Sequence, residues 1–307
     1  MLDIVYLTSL RHPENSKDYV VVEKLLYNSL TALSNQLTSK SKAIIVCNKK
    51  PTFEFANIDF IEVNLPPPNN QKKPNSSIEE LVSDRSLKNT IGIVYAKKYD
   101  PKYLMFFDYD DFIHKDLLAS VENMDIDSGC HVHRGWIMDH KSKVCYEQDK
   151  FHYLCGTSNI IKFKLLYDPI DQGVVELEFA GKKISFDTAR TSLKKLTIDS
   201  TKSEIISSVD QNYLKYILGA HRWPHIYFKT KPIEQPIAIW NRNNSQNLYE
   251  EFNVYGRNPK LVNLIPFGIR LSNKQKVHQA LLYCFFKLGY ICKKLRSLRI
   301  KRSTSVI

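Results

Sequence analysis

The sequence predicts an α/β fold in which a mixed, mainly parallel central sheet is flanked by helices and followed by a C-terminal amphipathic helix. Three observations predict it. Apolar strand-like segments alternate with a helix-like segment in residues 3–63, as in open sheets with crossover helices. A wholly apolar segment, residues 103–107, runs directly into acidic residues. Residues 252–307 carry basic residues and no acidic ones.

The predicted strands of the first half are short apolar runs bounded by polar or proline-rich breaks. They are residues 3–8, 42–47, 58–63 and 103–107. Helices are predicted for residues 18–37, where apolar residues recur at helical spacing, and for residues 77–98, which carry Glu79 and Glu80 in the first turn. The last of the strands has only apolar residues, which is typical of a strand buried on both faces.

The second half has a less regular pattern. Strands are expected at residues 130–136 and 144–146, and a hairpin is expected from 174–179 and 183–186 around Gly181. A helix is expected at 209–218. Three segments are expected: residues 1–125, residues 126–250, and a helical extension over residues 251–307.

The charge is distributed unevenly. The chain has 44 basic and 32 acidic residues, and 12 of the basic ones follow Glu251 while no acidic one does. The body is therefore neutral and only its C-terminal segment is cationic, which argues against a nucleic-acid binder.

The six cysteines form no CxxC pair and fit no zinc spacing. The chain starts with a strand-like segment rather than a basic and then apolar leader. Free thiols in a reducing cytoplasm are the simplest expectation.

An acidic cluster follows the apolar strand of residues 103–107. Asp108, Asp110 and Asp111 would lie at the carboxyl edge of the sheet, where open α/β folds bind ligands. Side chains two apart in a strand point the same way, so Asp108 and Asp110 are predicted to share a ligand. Hard carboxylate oxygens suit Mn²⁺ or Mg²⁺. The alternative is a solvated acidic turn after a core strand.

Residues 85–111 resemble the core of GT-A glycosyltransferases of the family-2-like kind that build bacterial surface polysaccharides. A helix with Lys88 and Gly92, an apolar strand and a D-x-D-D motif carry the resemblance. It implies a Rossmann-like fold, a nucleotide-sugar donor, and metal binding by Asp108 and Asp110. It also implies that residues 1–125 form the nucleotide-sugar-binding half and residues 126–250 the acceptor-binding and catalytic half. The nucleotide-sugar is expected to contact Thr8, Ser9, Arg11, Arg85, Lys88, Asp108 and Arg242. A solvated helix face is an equal alternative for Arg85 and Lys88.

The same resemblance suggests Asp210 as the base that deprotonates an acceptor hydroxyl in an inverting transfer. An equal alternative is that Asp210 only starts a helix, where the helix dipole favours a carboxylate. The candidates for acceptor binding are His131, His133 and Trp136. The alternative is that they belong to an ordinary half-buried strand with polar partners. The segment 156–159 could line the donor sugar. His221 or His225 could supply a third metal ligand, although a lone histidine is more often structural.

The C-terminal segment predicts one long helix over residues 273–302. Its apolar residues recur at steps of three and four, and basic residues flank them. This pattern is typical of a helix on an anionic membrane surface. The residues expected to face the membrane are Leu281, Phe285, Leu288, Lys293, Lys294 and Arg296. Packing on the body, or on a second subunit in a homo-oligomer, is the alternative.

The predicted activity is metal-dependent transfer of a sugar from a nucleotide-sugar to a lipid-linked or growing surface glycan, such as capsule, O-antigen or lipooligosaccharide. The enzyme would work on the inner face of the cell membrane. One alternative is a sugar-phosphate nucleotidyltransferase, although residues 9–17 contain no glycine for the loop that such an enzyme needs. Another is a membrane-associated glycan-binding protein with a transferase-like fold.

Overall fold

The computed structural model of the protein describes residues 2–34, 36–68, 78–122, 124, 127–169, 175–179, 182–184, 203–207, 219, 221, 224–246 and 258–304. The strands, numbered in chain order, are β1 (Ile4–Ser9), β2 (Ser41–Cys47), β3 (Ile58–Glu62), β4 (Tyr103–Phe106), β5 (Phe112–Ile113), β6 (Gly129–Val132), β7 (Arg134–Asp139), β8 (Cys145–Asp149), β9 (Asn159–Lys162), β10 (Val175–Phe179), β11 (Lys182–Ile184), β12 (Ser203–Ser207), β13 (Lys231–Ile233), β14 (Ala238–Arg242) and β15 (Pro259–Lys260). The helices are α1 (Tyr19–Ser34), α2 (Ile78–Ala96), α3 (Leu117–Glu122), α4 (Phe163–Pro169), a short helix Pro224–Tyr227 and the C-terminal helix Asn273–Thr304.

The central sheet has seven strands in the order β13-β6-β9-β4-β1-β2-β3. Four of its six pairings are parallel, and only β9 runs against its two neighbours. The predicted α/β architecture with a mixed, mainly parallel sheet is therefore confirmed. Strands from both the 1–125 and the 126–250 segments build this sheet, so the two segments share one structural framework.

The sheet is covered on both faces because alternate residues of its central strands point in opposite directions. In β1, Ile4 and Tyr6 pack on α1, whereas Val5 and Leu7 pack on the α2 side. All four are almost completely buried. This double coverage explains why the predicted strands are continuous apolar runs.

A second sheet of five strands has the order β15-β8-β7-β14-β5. Its first strand along the chain is β5, and the chain enters it again after leaving the central sheet at His133, between β6 and β7. The single strand predicted for 130–136 is therefore wrong, because the segment divides between two sheets at that residue. A third sheet, β11-β10-β12, contains the predicted hairpin as an antiparallel pair of β10 and β11. The helix predicted for 209–218 lies outside the described residues.

The C-terminal helix begins with a reciprocal cap at Ser272. The Gln275 amide N–H donates to Ser272 Oγ, and the Ser272 N–H donates to Gln275 Oε1 over 2.8 Å, as in other capping boxes. Gln279 and Lys287 tie the helix to the body through hydrogen bonds to the Lys143 carbonyl and to Asn258.

The opposite face of the C-terminal helix is exposed and apolar. Its side chains recur at helical spacing and are mostly about 60% exposed, as shown by Val277 (61%), Leu281 (66%), Phe285 (60%), Leu288 (63%) and Leu295 (60%). No helix in the described part of the chain has the length and apolar character needed to cross a bilayer.

Candidate functional site: an acidic turn at the carboxyl edge of the central sheet

The acidic cluster lies where β4 ends, beside the end of β1, because these two strands are neighbours and parallel. The strand stops at Phe106, and the Asp111 N–H donates to the Asp108 carbonyl over 3.0 Å. The carboxylates therefore belong to a tight turn, called here the acidic turn (residues 108–111). The expectation that Asp108 and Asp110 converge because they alternate along a strand is wrong, although the predicted position at the sheet edge is confirmed.

Asp108 is held by partners from two other segments. Its Oδ1 lies 2.5 Å from Arg85 Nη2 of α2, and its Oδ2 accepts the Gly156 N–H over 3.2 Å. Its own N–H donates to Thr157 Oγ1 over 2.9 Å. A methyl group at Gly156 would lie only 2.4 to 2.6 Å from the Arg85 and Asp108 side chains, so this glycine permits the close approach.

Asp111 is completely buried and saturated with hydrogen bonds. Its Oδ2 accepts from Thr157 Oγ1 over 2.6 Å and from Cys155 Sγ over 3.1 Å, and its Oδ1 accepts the Asn241 N–H over 3.0 Å. Its carbonyl accepts the Ser29 hydroxyl of α1. Burial, together with the charges of the other two aspartates, raises the pKa of Asp111 well above its usual value. Asp111 thus joins the acidic turn to β14 and to the loop before β9.

Asp110 is 9% exposed, and its Oδ2 accepts the Asn244 side-chain amide over 2.6 Å. Asn244 carries no charge, so it stabilises the carboxylate less than a cation would. Burial and the neighbouring charge of Asp108 raise the pKa of Asp110 to about 6. The turn therefore concentrates more negative charge than its protein partners neutralise.

The donor set of the acidic turn fits a hard divalent cation. Ligand atoms of Asp108, Asp111 and Cys155 lie within 4.8 Å of one another. However, both Asp111 oxygens already accept hydrogen bonds, and burial followed by the Asp111 charge raises the pKa of the Cys155 thiol. A protonated thiol is a poor ligand for a hard ion. Both Asp108 oxygens also have partners, the Arg85 guanidinium and the Gly156 N–H, so a cation would have to share Asp108 with them. Metal binding by Asp108 and Asp110 stays a prediction.

The end of β1 faces the acidic turn from the neighbouring strand. Thr8 is buried, and its hydroxyl has no hydrogen-bond partner among the described residues. Lys88 is completely buried. Its ammonium donates to the Leu10 carbonyl and pairs with Asp84, each over 2.8 Å, and these partners compensate for the burial of its charge. These internal partners give Lys88 a structural role, whereas its predicted contact with a nucleotide stays a prediction. By supporting Leu10, Lys88 orients the segment that carries Arg11.

The loop after β14 closes over the same edge. Arg11 Nη2 donates to the Gln246 carbonyl over 2.8 Å, and the Gln246 N–H donates to Asn244 Oδ1 over 3.0 Å. Asn244 in turn contacts Asp110. The guanidinium of Arg242, which is almost fully buried, lies 4.6 Å from the centre of the Trp240 ring. Two arginines thus flank the loop that contacts the acidic turn.

The predicted acceptor residues lie in β6, at the crossing to β7, and in β7. The rings of His131 and His133 are 6.2 Å apart between centroids, and both lie near His152. Trp136 is half-buried in β7 and packs against the small core of the second sheet. Their contact with an acceptor stays a prediction.

The two late histidines considered as third metal ligands both contact Tyr153. His221 Nε2 lies 3.2 Å from the Tyr153 carbonyl oxygen, and His225 Nε2 lies 3.1 Å from its hydroxyl. Asp210, the predicted base, lies outside the described residues.

The contacts that Asp111 makes with Cys155 and Asn241 could not be predicted from the sequence. The sequence did indicate the segment 156–159 and Arg242, and the structure brings Gly156 and Asn241, the neighbour of Arg242, to the acidic turn. The signal available in the sequence was a run of polar residues next to Gly156. The structure buries Thr157, Ser158 and Asn159.

No protein-family model and no curated protein matches this chain. Solved structures that are distantly similar include the following two. The bifunctional IspDF from Campylobacter jejuni is 18% identical with a TM-score of 0.29, over 62% of this chain and 47% of that protein. The apo-form glycosyltransferase GlyE of Streptococcus pneumoniae TIGR4 is 10% identical with a TM-score of 0.32, over 96% of this chain and 64% of that protein. The chain thus spans about half to two thirds of these neighbours, and at such low similarity its activity must be argued from the site itself.

Proposed function

We propose that this chain is a metal-dependent glycosyltransferase that moves a sugar from a nucleotide-sugar to a glycan or glycolipid acceptor. One observation carries the proposal: three carboxylates crowd the carboxyl edge of parallel strands, and Asp110 has a pKa raised to about 6 by burial and by Asp108. Such crowding would be relieved by a cation, and a cation held at this edge would supply positive charge for the diphosphate of a nucleotide-sugar.

In this proposal Asp108 and Asp110 hold Mn²⁺ or Mg²⁺. A bound cation would stabilise the negative charge that develops on the leaving nucleoside diphosphate. Arg11, Arg85 and Arg242 would donate charge-assisted hydrogen bonds to phosphate oxygens. This role is supported by the link from Arg11 to the loop after β14 and by the pairing of Arg85 with Asp108.

The nucleotide would lie along the end of β1, against Thr8 and Ser9. The unpartnered Thr8 hydroxyl supports this role, since a buried hydroxyl without a partner is costly. Gly156 and Thr157 would face the donor sugar, because both contact Asp108. In an inverting transfer the acceptor oxygen would attack the anomeric carbon while Asp210 takes its proton.

The C-terminal helix would hold the enzyme on an anionic membrane, where a lipid-linked acceptor is available. Its exposed apolar face and the excess of basic over acidic residues after Glu251 support an anionic surface as its partner. The described cysteines are free thiols, which agrees with the reducing inner side of the membrane.

A thermal-shift screen of nucleotide-sugars with and without Mn²⁺ tests the proposed activity. We expect one nucleotide-sugar to raise the melting temperature only when Mn²⁺ is present, and Asp110→Ala to abolish that rise. A rise that depends on a nucleoside triphosphate and a sugar phosphate would instead indicate a nucleotidyltransferase. If no nucleotide stabilises the protein, or if Asp110→Ala leaves the effect unchanged, the proposal is wrong.

A further inference from the structure

Four histidines from three segments of the chain lie close together, beside the point where the chain passes from the central sheet to the second sheet. His131 lies in β6, His133 at the crossing, His152 in the turn after β8, and His225 in the short helix Pro224–Tyr227. The ring centroids of His131 and His152 are 4.2 Å apart, and those of His152 and His225 are 4.3 Å apart. Four imidazoles at such distances form a cluster of nitrogen donors of borderline softness, unlike the hard oxygens of the acidic turn.

Three of these side chains already approach the geometry of a metal site. One ring nitrogen each from His131, His133 and His152 lies within 4.8 Å of the other two. In a tetrahedral zinc site with bonds of about 2.0–2.1 Å, the ligand atoms are about 3.4 Å apart. His131 and His152 are buried, whereas His133 is half-exposed and has room to rotate inward. A modest side-chain movement therefore completes the set.

The surroundings leave nitrogen lone pairs available for a metal. His131 Nδ1 lies 2.8 Å from Thr230 Oγ1, so its other ring nitrogen can face the cluster. His152 hydrogen-bonds the backbone of Val132, while its buried Nδ1 has no hydrogen-bond partner among the described residues. Metal-binding histidines are commonly oriented in this way by a hydrogen bond from the second nitrogen.

We infer that His131, His133 and His152 bind a zinc ion, with one coordination position open toward His225. Imidazole nitrogens suit Zn²⁺ far better than Mn²⁺ or Mg²⁺, so this site would be chemically distinct from the one proposed at the acidic turn. Bound zinc would fix the crossing between β6 and β7 to the turn after β8. The inference does not depend on the proposed glycosyltransferase activity.

Isothermal titration of the full, tag-free and chelator-treated chain with Zn²⁺ tests the inference. We expect one zinc ion per chain, and a rise in melting temperature on binding. His133→Ala should weaken zinc binding by at least about tenfold, and His152→Gln should do the same. His133 is half-exposed, so its variant should fold, which circular dichroism can verify.

Two control variants separate this site from other zinc binding. His278→Ala removes an exposed histidine from the C-terminal helix, and Asp110→Asn alters the acidic turn; both should bind zinc like the unmodified chain. The inference is overturned if His133→Ala binds zinc as tightly as the unmodified chain, if zinc does not bind, or if Asp110→Asn rather than His133→Ala abolishes binding.

Discussion

The Arg85 guanidinium lies 2.5 Å from the Asp108 carboxylate, so one of the three aspartates in the acidic turn has a cation from α2 as its direct partner. Asp110, two residues further on, has the uncharged amide of Asn244 instead. The two carboxylates that we propose as metal ligands therefore differ electrostatically. Asp110 depends more on a bound cation than Asp108 does.

Replacing Arg85 with Gln tests this difference. The change leaves Asp108 charged and unpaired beside Asp110, so the metal-free protein should lose about 1–2 kcal/mol of unfolding free energy. The rise in melting temperature caused by Mn²⁺ should become larger, because the ion then neutralises both carboxylates. Thermal unfolding with and without Mn²⁺ measures both effects. Lys97→Gln, which removes an exposed pair with Asp100, should change neither quantity, and an unchanged Mn²⁺ effect in Arg85→Gln would contradict the interpretation.

Asp110→Asn should make the metal-free protein more stable at pH 7. The pKa of Asp110 in the folded state is about 6, compared with about 3.9 in an unfolded chain. Between these pH values the folded state binds more protons than the unfolded state. The free energy of unfolding therefore falls as pH rises from about 4 to about 6 and stays lower above that range. The Asn variant lacks this loss and should gain about 1–3 kcal/mol at pH 7.

Urea unfolding of the wild type and the Asn variant at pH 4 and pH 7, with and without Mn²⁺, measures this effect. The two proteins should be similar in stability at the lower pH, and only the wild type should respond to Mn²⁺. A variant that is less stable at pH 7 and still responds to Mn²⁺ would show that Asp110 is an ordinary hydrogen-bonded carboxylate.

Gly156→Ala should disrupt the acidic turn. The added methyl group would contact the Arg85 and Asp108 side chains at 2.4 to 2.6 Å, which forces the ion pair apart. We expect a loss of about 1–3 kcal/mol, as for other overpacked sites, together with a lower affinity for Mn²⁺ and nucleotide-sugar. Calorimetric titration and thermal unfolding measure the two losses.

Gly289→Ala is the matched control, because a methyl group there has no neighbour within 4 Å. In a helix this change should stabilise the protein by about 0.5–1 kcal/mol. Nucleotide binding should be unaffected. If Gly156→Ala behaves like this control, the close approach of Gly156 to Asp108 has no functional importance.

The exposed apolar face of the C-terminal helix should be required for membrane binding. Replacing Leu281, Phe285 and Leu288 together with Ser keeps all basic residues but removes the apolar contact area. We expect the variant to stop floating with anionic liposomes while its circular dichroism stays unchanged. A matched variant, Lys274→Ser with Lys276→Ser, keeps the apolar residues of the helix. It should still bind the liposomes at low ionic strength and float less as the salt concentration increases.

Light scattering tests whether a second copy of the chain, rather than a membrane, binds this helix face. If the unmodified chain forms dimers that the triple Ser variant loses, and if both float equally, the helix face binds a second copy rather than a membrane. Equal flotation of both proteins without any change in mass would also contradict the membrane proposal.

The sequence by itself was sufficient to predict four strands of the central sheet, β1 to β4, and the position of the acidic cluster. Strands buried on both faces need continuous apolar runs, so residues 42–47 and 103–107 can be recognised locally. The cationic helix could also be recognised, since its spacing and charge are properties of one segment. The predicted strand over 130–136 failed because no local pattern reports that the chain changes sheets at His133.

Only the tertiary structure decided which side chains share a site. Asp111 meets Cys155 and Asn241, which are 44 and 130 residues away along the chain. The four histidines likewise come from three segments that the sheets bring together. Spacing along a sequence predicts neighbours within one helix or strand, but contacts between elements depend on strand order. For that reason the sequence located the acidic turn, whereas the charge imbalance at Asp110 and the histidine cluster became visible only in the folded chain.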